Sequence, residues 1–134
     1  MIHLDTSFLV DLLRERRSGA GGPATSRLED LADIELRVSV HALCELFAGV
    51  ELSTRSAGER QAVEALIAGL EVVYPDAGFA PTYGRLLAPL QRAGKLISTM
   101  DLLIATAAVQ DGAPIVTANP VHFERISELD VVTY

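Results

Sequence analysis

Short apolar segments with strand character recur along this chain, and helix-patterned stretches separate them. The strand-like segments are Ile2–Leu4, Leu36–Ser39, Glu71–Tyr74, Ile115–Thr117 and Asp130–Thr133. Strands that alternate with helices form a mostly parallel sheet covered on both faces, because each crossover must return over the sheet. The expected architecture is therefore α/β, with helix layers on either side of a central sheet. In such sheets ligands bind beyond the carboxyl ends of the strands. That singles out Asp5, the start of the helix at Val40, and Asn119.

The helical segments follow from apolar spacing and punctuation. Ser7–Arg17 carries Phe8, Leu9, Leu12 and Leu13 on one face and ends in arginines, which suit the negative end of a helix dipole. Ser18–Pro23 reads as a loop and Ala24–Ala32 as a second helix. Val40–Leu52, Gly58–Ala68 (closed by Gly69) and Ser98–Gln110 are further helices. A helical region from an Asp76 cap to about Ala93 is expected to break or kink at Pro81, Gly84 or Pro89. Asn119-Pro120 opens a turn.

The length of 134 residues fits one domain, expected to cover residues 1–134. No apolar run approaches the roughly 20 residues that span a bilayer. No cationic stretch precedes an apolar one as in a signal peptide, so a cytoplasmic location is expected. The one cysteine, Cys44, has apolar sequence neighbours and reads as a buried, inert thiol. The net charge of -7 argues against nucleic-acid binding, unless part of the acid binds metal cations. Of the eleven cationic residues only Lys95 is lysine; arginine pairs with phosphate through a two-pronged fork.

Three acids stand out by placement. Asp5 ends the first strand; it could cap the next helix or hold a metal. Glu45 is the one acid between Val40 and Val50, in a helix apolar on every side. It either points to water or is buried with a partner, for which His41 is a candidate. Asp101 is the one charge between Lys95 and Asp111, and Ser98-Thr99-Met100-Asp101 also matches a reciprocal capping box. Together they place three carboxylates where neighbouring elements could converge. Oxygen ligands without a cation suit Mg²⁺ or Mn²⁺. Three histidines and one cysteine match no zinc spacing, and no glycine-rich loop leads into a Walker lysine.

These residues resemble a known family. Ile2-His3-Leu4-Asp5-Thr6-Ser7, the isolated Glu45, Asp101-Leu102-Leu103-Ile104-Ala105-Thr106-Ala107 and Ile115-Val116-Thr117-Ala118-Asn119-Pro120-Val121-His122-Phe123 together look like a PIN domain, over nearly the whole chain. The chain most resembles the VapC toxins. The resemblance implies an α/β/α sandwich with strand order 3-2-1-4-5. It implies Mg²⁺- or Mn²⁺-dependent endonucleolytic hydrolysis of RNA, with Asp5, Glu45 and Asp101 as catalytic metal ligands. Thr6, Ser7 and Thr117 would support them by hydrogen bonds. Asn119 stands where the family often has a fourth acid, which puts a second metal ion in doubt; a plain Asn-Pro turn is the other reading. The resemblance also implies a homodimer and a cognate antitoxin whose tail occupies the acidic groove. The Arg14, Arg16 and Arg17 cluster would meet RNA phosphates or acidic groups of the antitoxin, or is simply a solvated helix end.

Two other functions share the fold class. A phosphate-accepting receiver needs an acid after the third strand and a lysine near the last. Here Pro75 follows the third strand and no lysine lies beyond Lys95. A non-catalytic RNA- or protein-binding module of the same fold is the stronger alternative, separated from the enzyme by a cleavage assay.

Overall fold

Ile2, His3 and Leu4 are all buried, a continuous pattern that fits a strand covered on both faces. They form β1 (Ile2–Leu4), the middle strand of a five-stranded sheet, in a computed structural model that describes residues 1–134. After it come α1 (Thr6–Ser18), α2 (Pro23–Asp30), β2 (Leu36–Ser39), α3 (Val40–Leu52), α4 (Ser56–Ile67) and β3 (Glu71–Val73). Then follow α5 (Phe79–Arg92), α6 (Thr99–Gln110), β4 (Ile115–Val116), α7 (Pro120–Phe123) and β5 (Val131–Val132).

The strand order is β3-β2-β1-β4-β5, and all four pairings are parallel. His3 lies opposite Arg37 on one side and Ile115 on the other. The chain moves outward from β1 to β3, then returns across the sheet to β4. Right-handed crossovers in opposite directions lie on opposite faces, so helices cover both sides of the sheet.

Helix α1 buries Phe8, Leu9 and Leu12 against the sheet; each such side chain contributes about 1.5–3 kcal/mol on leaving water. It ends at Gly19, whose φ of 72° lets its N–H turn back to the Glu15 carbonyl. The next helix is capped from a distance. The Glu15 carboxylate accepts the Ala24 N–H at 3.1 Å and the Thr25 N–H at 2.9 Å. Gly22 leaves room for this carboxylate, because a Cβ on it would lie 2.7 Å from Glu15 Cδ and displace the side chain.

Three expectations need correction. Segment α5 is one helix rather than two. Pro81 sits in its first turn, where the missing N–H has no helical partner in any case, and buried Leu86 and Leu90 hold the helix in place around Pro89. Asp76 does not cap it; its carboxylate accepts from Gly78 N and Gln110 Nε2. Cys44 is exposed, not buried. The buried stripe of α3 is Ala42, Leu43, Leu46 and Val50, and one residue past Leu43 is about 100° round the helix. No helix is long and apolar enough to cross a membrane.

Candidate active site

Strand order reverses between β1 and β4, which leaves a crevice at their carboxyl ends. A cleft of about 410 Å³ opens there, lined by Asp5 after β1, Glu45 of α3, Asp101 of α6 and Asn119 after β4. Thr6, Ser7 and Asp11 of α1 complete its polar wall, and no lysine or arginine lines it.

Asp5 is 4% exposed and occupies the cap position of α1, yet its side chain makes no capping bond. Its Oδ2 instead accepts from Ser7 Oγ at 2.7 Å and from Thr117 Oγ1 at 2.7 Å. Each hydroxyl is aligned from behind. Ser7 Oγ accepts the Ala118 N–H at 3.0 Å, and Thr117 Oγ1 accepts the Asn119 N–H at 3.0 Å. A hydroxyl has one proton, so both protons are committed to Asp5, and the 3.1 Å approach of Ser7 Oγ to Thr117 Oγ1 carries none. The network runs from backbone N–H through hydroxyl to a buried carboxylate. Asp5 Oδ1 takes no part in the network.

Glu45 is half-buried and accepts from Thr6 Oγ1 at 2.6 Å. His41 is not its partner. That ring stacks on Phe79 at 5.3 Å between centroids, and burial holds its pKa below the ordinary histidine value. Asp101 belongs to only half of a capping box. Ser98 Oγ accepts the Asp101 N–H at 3.2 Å, but the Asp101 carboxylate turns away and its Oδ2 meets His122 Nδ1 at 2.8 Å. The Asn119 side chain caps nothing, although Pro120 begins the short α7 rather than a simple turn. The structure thus brings all seven sequence-predicted residues to one end of the sheet. Asp5, Glu45, Asp101, Thr6, Ser7 and Asn119 line the cleft, and Thr117 lies behind it.

Three residues at the site escaped the sequence reading. Asp11 lies one turn beyond Ser7 on α1, a spacing that could have found it. It pairs with Arg14 and accepts from the Tyr134 hydroxyl at 2.6 Å. Burial and Asp11 push the Tyr134 pKa up, so this phenol stays a donor. His122, paired with Asp101, is the third.

The residues present fit a hard cation, although no three acidic, histidine or cysteine groups form a closed cage. Asp5 is buried without a cationic partner and keeps one oxygen outside its hydrogen-bond network. An ion held by a few separated carboxylates retains water, as Mg²⁺ characteristically does.

A larger hollow of about 670 Å³ adjoins the cleft and shares Val10 and Glu45 with it. It lies between α1, α3 and α4, has an apolar floor including Leu13, Leu46 and Val63, and carries Arg14, Arg16, Arg17 and Arg55. Four of the eleven cationic side chains therefore lie beside the carboxylates, with Arg14 paired to Asp11 and Arg17 to Glu59.

Residues 2–129 match the PIN domain family. Ribonuclease VapC1 of Methanocaldococcus jannaschii is 28% identical over 133 residues, covering 99% of this chain and 86% of that protein. Ribonuclease VapC2 of Rickettsia felis is 32% identical over 94 residues, 70% of each chain. The crystal structure of VapBC2 from Rickettsia felis, bound to a DNA fragment from its promoter, superposes with a TM-score of 0.91 at 29% identity. That match covers 100% of this chain and 99% of the other.

Proposed function

The chain belongs to the PIN domain family, and we propose that it is a VapC-type toxin, a metal-dependent endoribonuclease held in check by a cognate antitoxin. The observation that carries the metal-dependent reading is Asp5: a buried carboxylate, fixed by two oriented hydroxyls, with no cation beside it and a free oxygen at a strand-order switch point. Asp5, Glu45 and Asp101 are the proposed metal ligands. Mg²⁺ or Mn²⁺ bound among them supplies Lewis acidity toward a phosphate oxygen and a more acidic water.

The protein's own residues do the positioning. Ser7 and Thr117 fix the rotamer of Asp5, and Thr6 does the same for Glu45. Asn119 offers a neutral carbonyl oxygen where the family often has an acid, so it adds a ligand without charge. Arg14, Arg16, Arg17 and Arg55 lie next to the cleft and supply the phosphate-binding charge that net composition lacks. The same surface suits acidic groups of the antitoxin. We further propose one domain across residues 1–134, a cytoplasmic location, and a homodimer in solution, which sedimentation at micromolar concentration measures.

Incubation of purified protein with single-stranded RNA tests the activity. Cleavage that requires Mg²⁺ or Mn²⁺ and is lost in Asp5→Ala and Asp101→Ala supports it. A folded protein that binds RNA but never cuts it supports the non-catalytic module instead.

A further inference from the structure

The β4–α7 turn reaches the site twice. Its Ala118 and Asn119 N–H groups orient the hydroxyls that hold Asp5. Three residues beyond Asn119, His122 meets the second acid, with Nδ1 2.8 Å from Asp101 Oδ2. For that contact to be a hydrogen bond to a carboxylate, the proton must sit on Nδ1.

The position of His122 is set by its neighbours. Pro120 starts α7 with its φ already fixed near the helical value. Phe123, 1% exposed, plugs the single turn into the core. Helix α7 packs on α6, which carries Asp101. The imidazole is thereby held at the flank of α6 although its own side chain is 47% exposed. Asp101, at 26% exposure, has no other side-chain partner: Ser98 engages only its backbone N–H. Without His122 its carboxylate would be free to change rotamer at the mouth of the cleft.

We propose that His122 is a positioning residue: its Nδ1–H holds Asp101 Oδ2 so that Oδ1 is presented to a divalent cation in the cleft. The inference rests on the metal-dependent reading above. One turn of chain then organises two carboxylates from different elements, Asp5 through backbone N–H groups and Asp101 through an imidazole. Hydrogen-bond partners of metal ligands commonly contribute about 10–100-fold in metal affinity.

Binding of Mn²⁺ to the whole protein, followed by calorimetry or by the loss of the free-ion paramagnetic resonance signal, tests this without any RNA. The variants are His122→Ala, His122→Asn and, as reference, Asp101→Ala, each checked for fold by circular dichroism. His122→Ala is expected to bind Mn²⁺ about 10-fold or more weakly. His122→Asn, whose amide N–H can replace Nδ1–H, stays within a few-fold of the parent. In RNA cleavage measured over a range of substrate concentrations, kcat falls for His122→Ala while KM for RNA holds. If Asp101→Ala loses Mn²⁺ but His122→Ala binds within twofold of the parent, the role of His122 is overturned and the metal site stands. If the parent protein takes up no Mn²⁺, the metal reading falls and this inference with it.

Discussion

Replacing Thr117 with valine removes one hydroxyl and almost no volume, and so isolates the network that holds Asp5. Thr117 is fully buried. Its hydroxyl donates to Asp5 Oδ2 at 2.7 Å and accepts the Asn119 N–H at 3.0 Å. Hydrogen bonds to charged groups contribute about 1.5–3 kcal/mol. The Asn119 N–H lies at the cleft wall, where water can replace its acceptor, and Ser7 still holds Asp5. The expected cost is therefore about 2–3 kcal/mol, or a fall in melting temperature of about 8–12 °C for a chain of this size. Thr117→Ser keeps the hydroxyl and loses a methyl group, which costs about 1 kcal/mol. Urea unfolding followed by far-ultraviolet circular dichroism reads both variants, the chain having no tryptophan. The denaturant slope should not change. In the Asp5→Asn background the valine substitution should cost less, a coupling that a double-mutant cycle measures. Equal stability of Thr117→Val and Thr117→Ser would refute the oriented network.

Other perturbations have equally definite outcomes. His3 and His41 are both held below 6.5 by burial, so below that value the unfolded chain binds protons that the folded chain refuses. Stability is full above about 6.5 and declines as pH falls toward the folded values, and His41→Phe should flatten that decline in a series of melts. Gly22→Ala pushes the Glu15 carboxylate off the start of α2; amide exchange at Ala24 and Thr25 should rise while β1 stays protected. Cys44 should react with a thiol reagent in the native protein as fast as in the unfolded one, and slow labelling would contradict its exposure.

The sheet was legible because parallel strands announce themselves as short apolar runs between helices, and the order β3-β2-β1-β4-β5 agrees with the family resemblance. Asp5, Glu45 and Asp101 were legible as acids at strand ends or in apolar helices, where a solvated charge has no reason to be. The pairings were not. Glu45 meets Thr6 across 39 positions rather than His41 on its own helix, and Asp101 meets His122 rather than its local cap. Local spacing offers a partner for each, and tertiary packing overrides it. Helix α5 misled for a similar reason: proline propensity marks a break, but buried Leu86 and Leu90 outweigh one missing hydrogen bond. Cys44 has apolar neighbours in sequence, whereas burial on a helix follows the neighbours three and four residues away.

RNA hydrolysis in this cleft, with a cation held by Asp5 and its fellow acids, is directly testable. Cleavage of one labelled single-stranded RNA, measured in chelator and then after Mn²⁺ is restored, tests it most directly when parent and Asp5→Asn proteins run side by side. Fragments are expected from the parent only with Mn²⁺, and none from a folded Asp5→Asn under either condition. Equal cleavage by the parent with and without Mn²⁺, or full activity in Asp5→Asn, would contradict it.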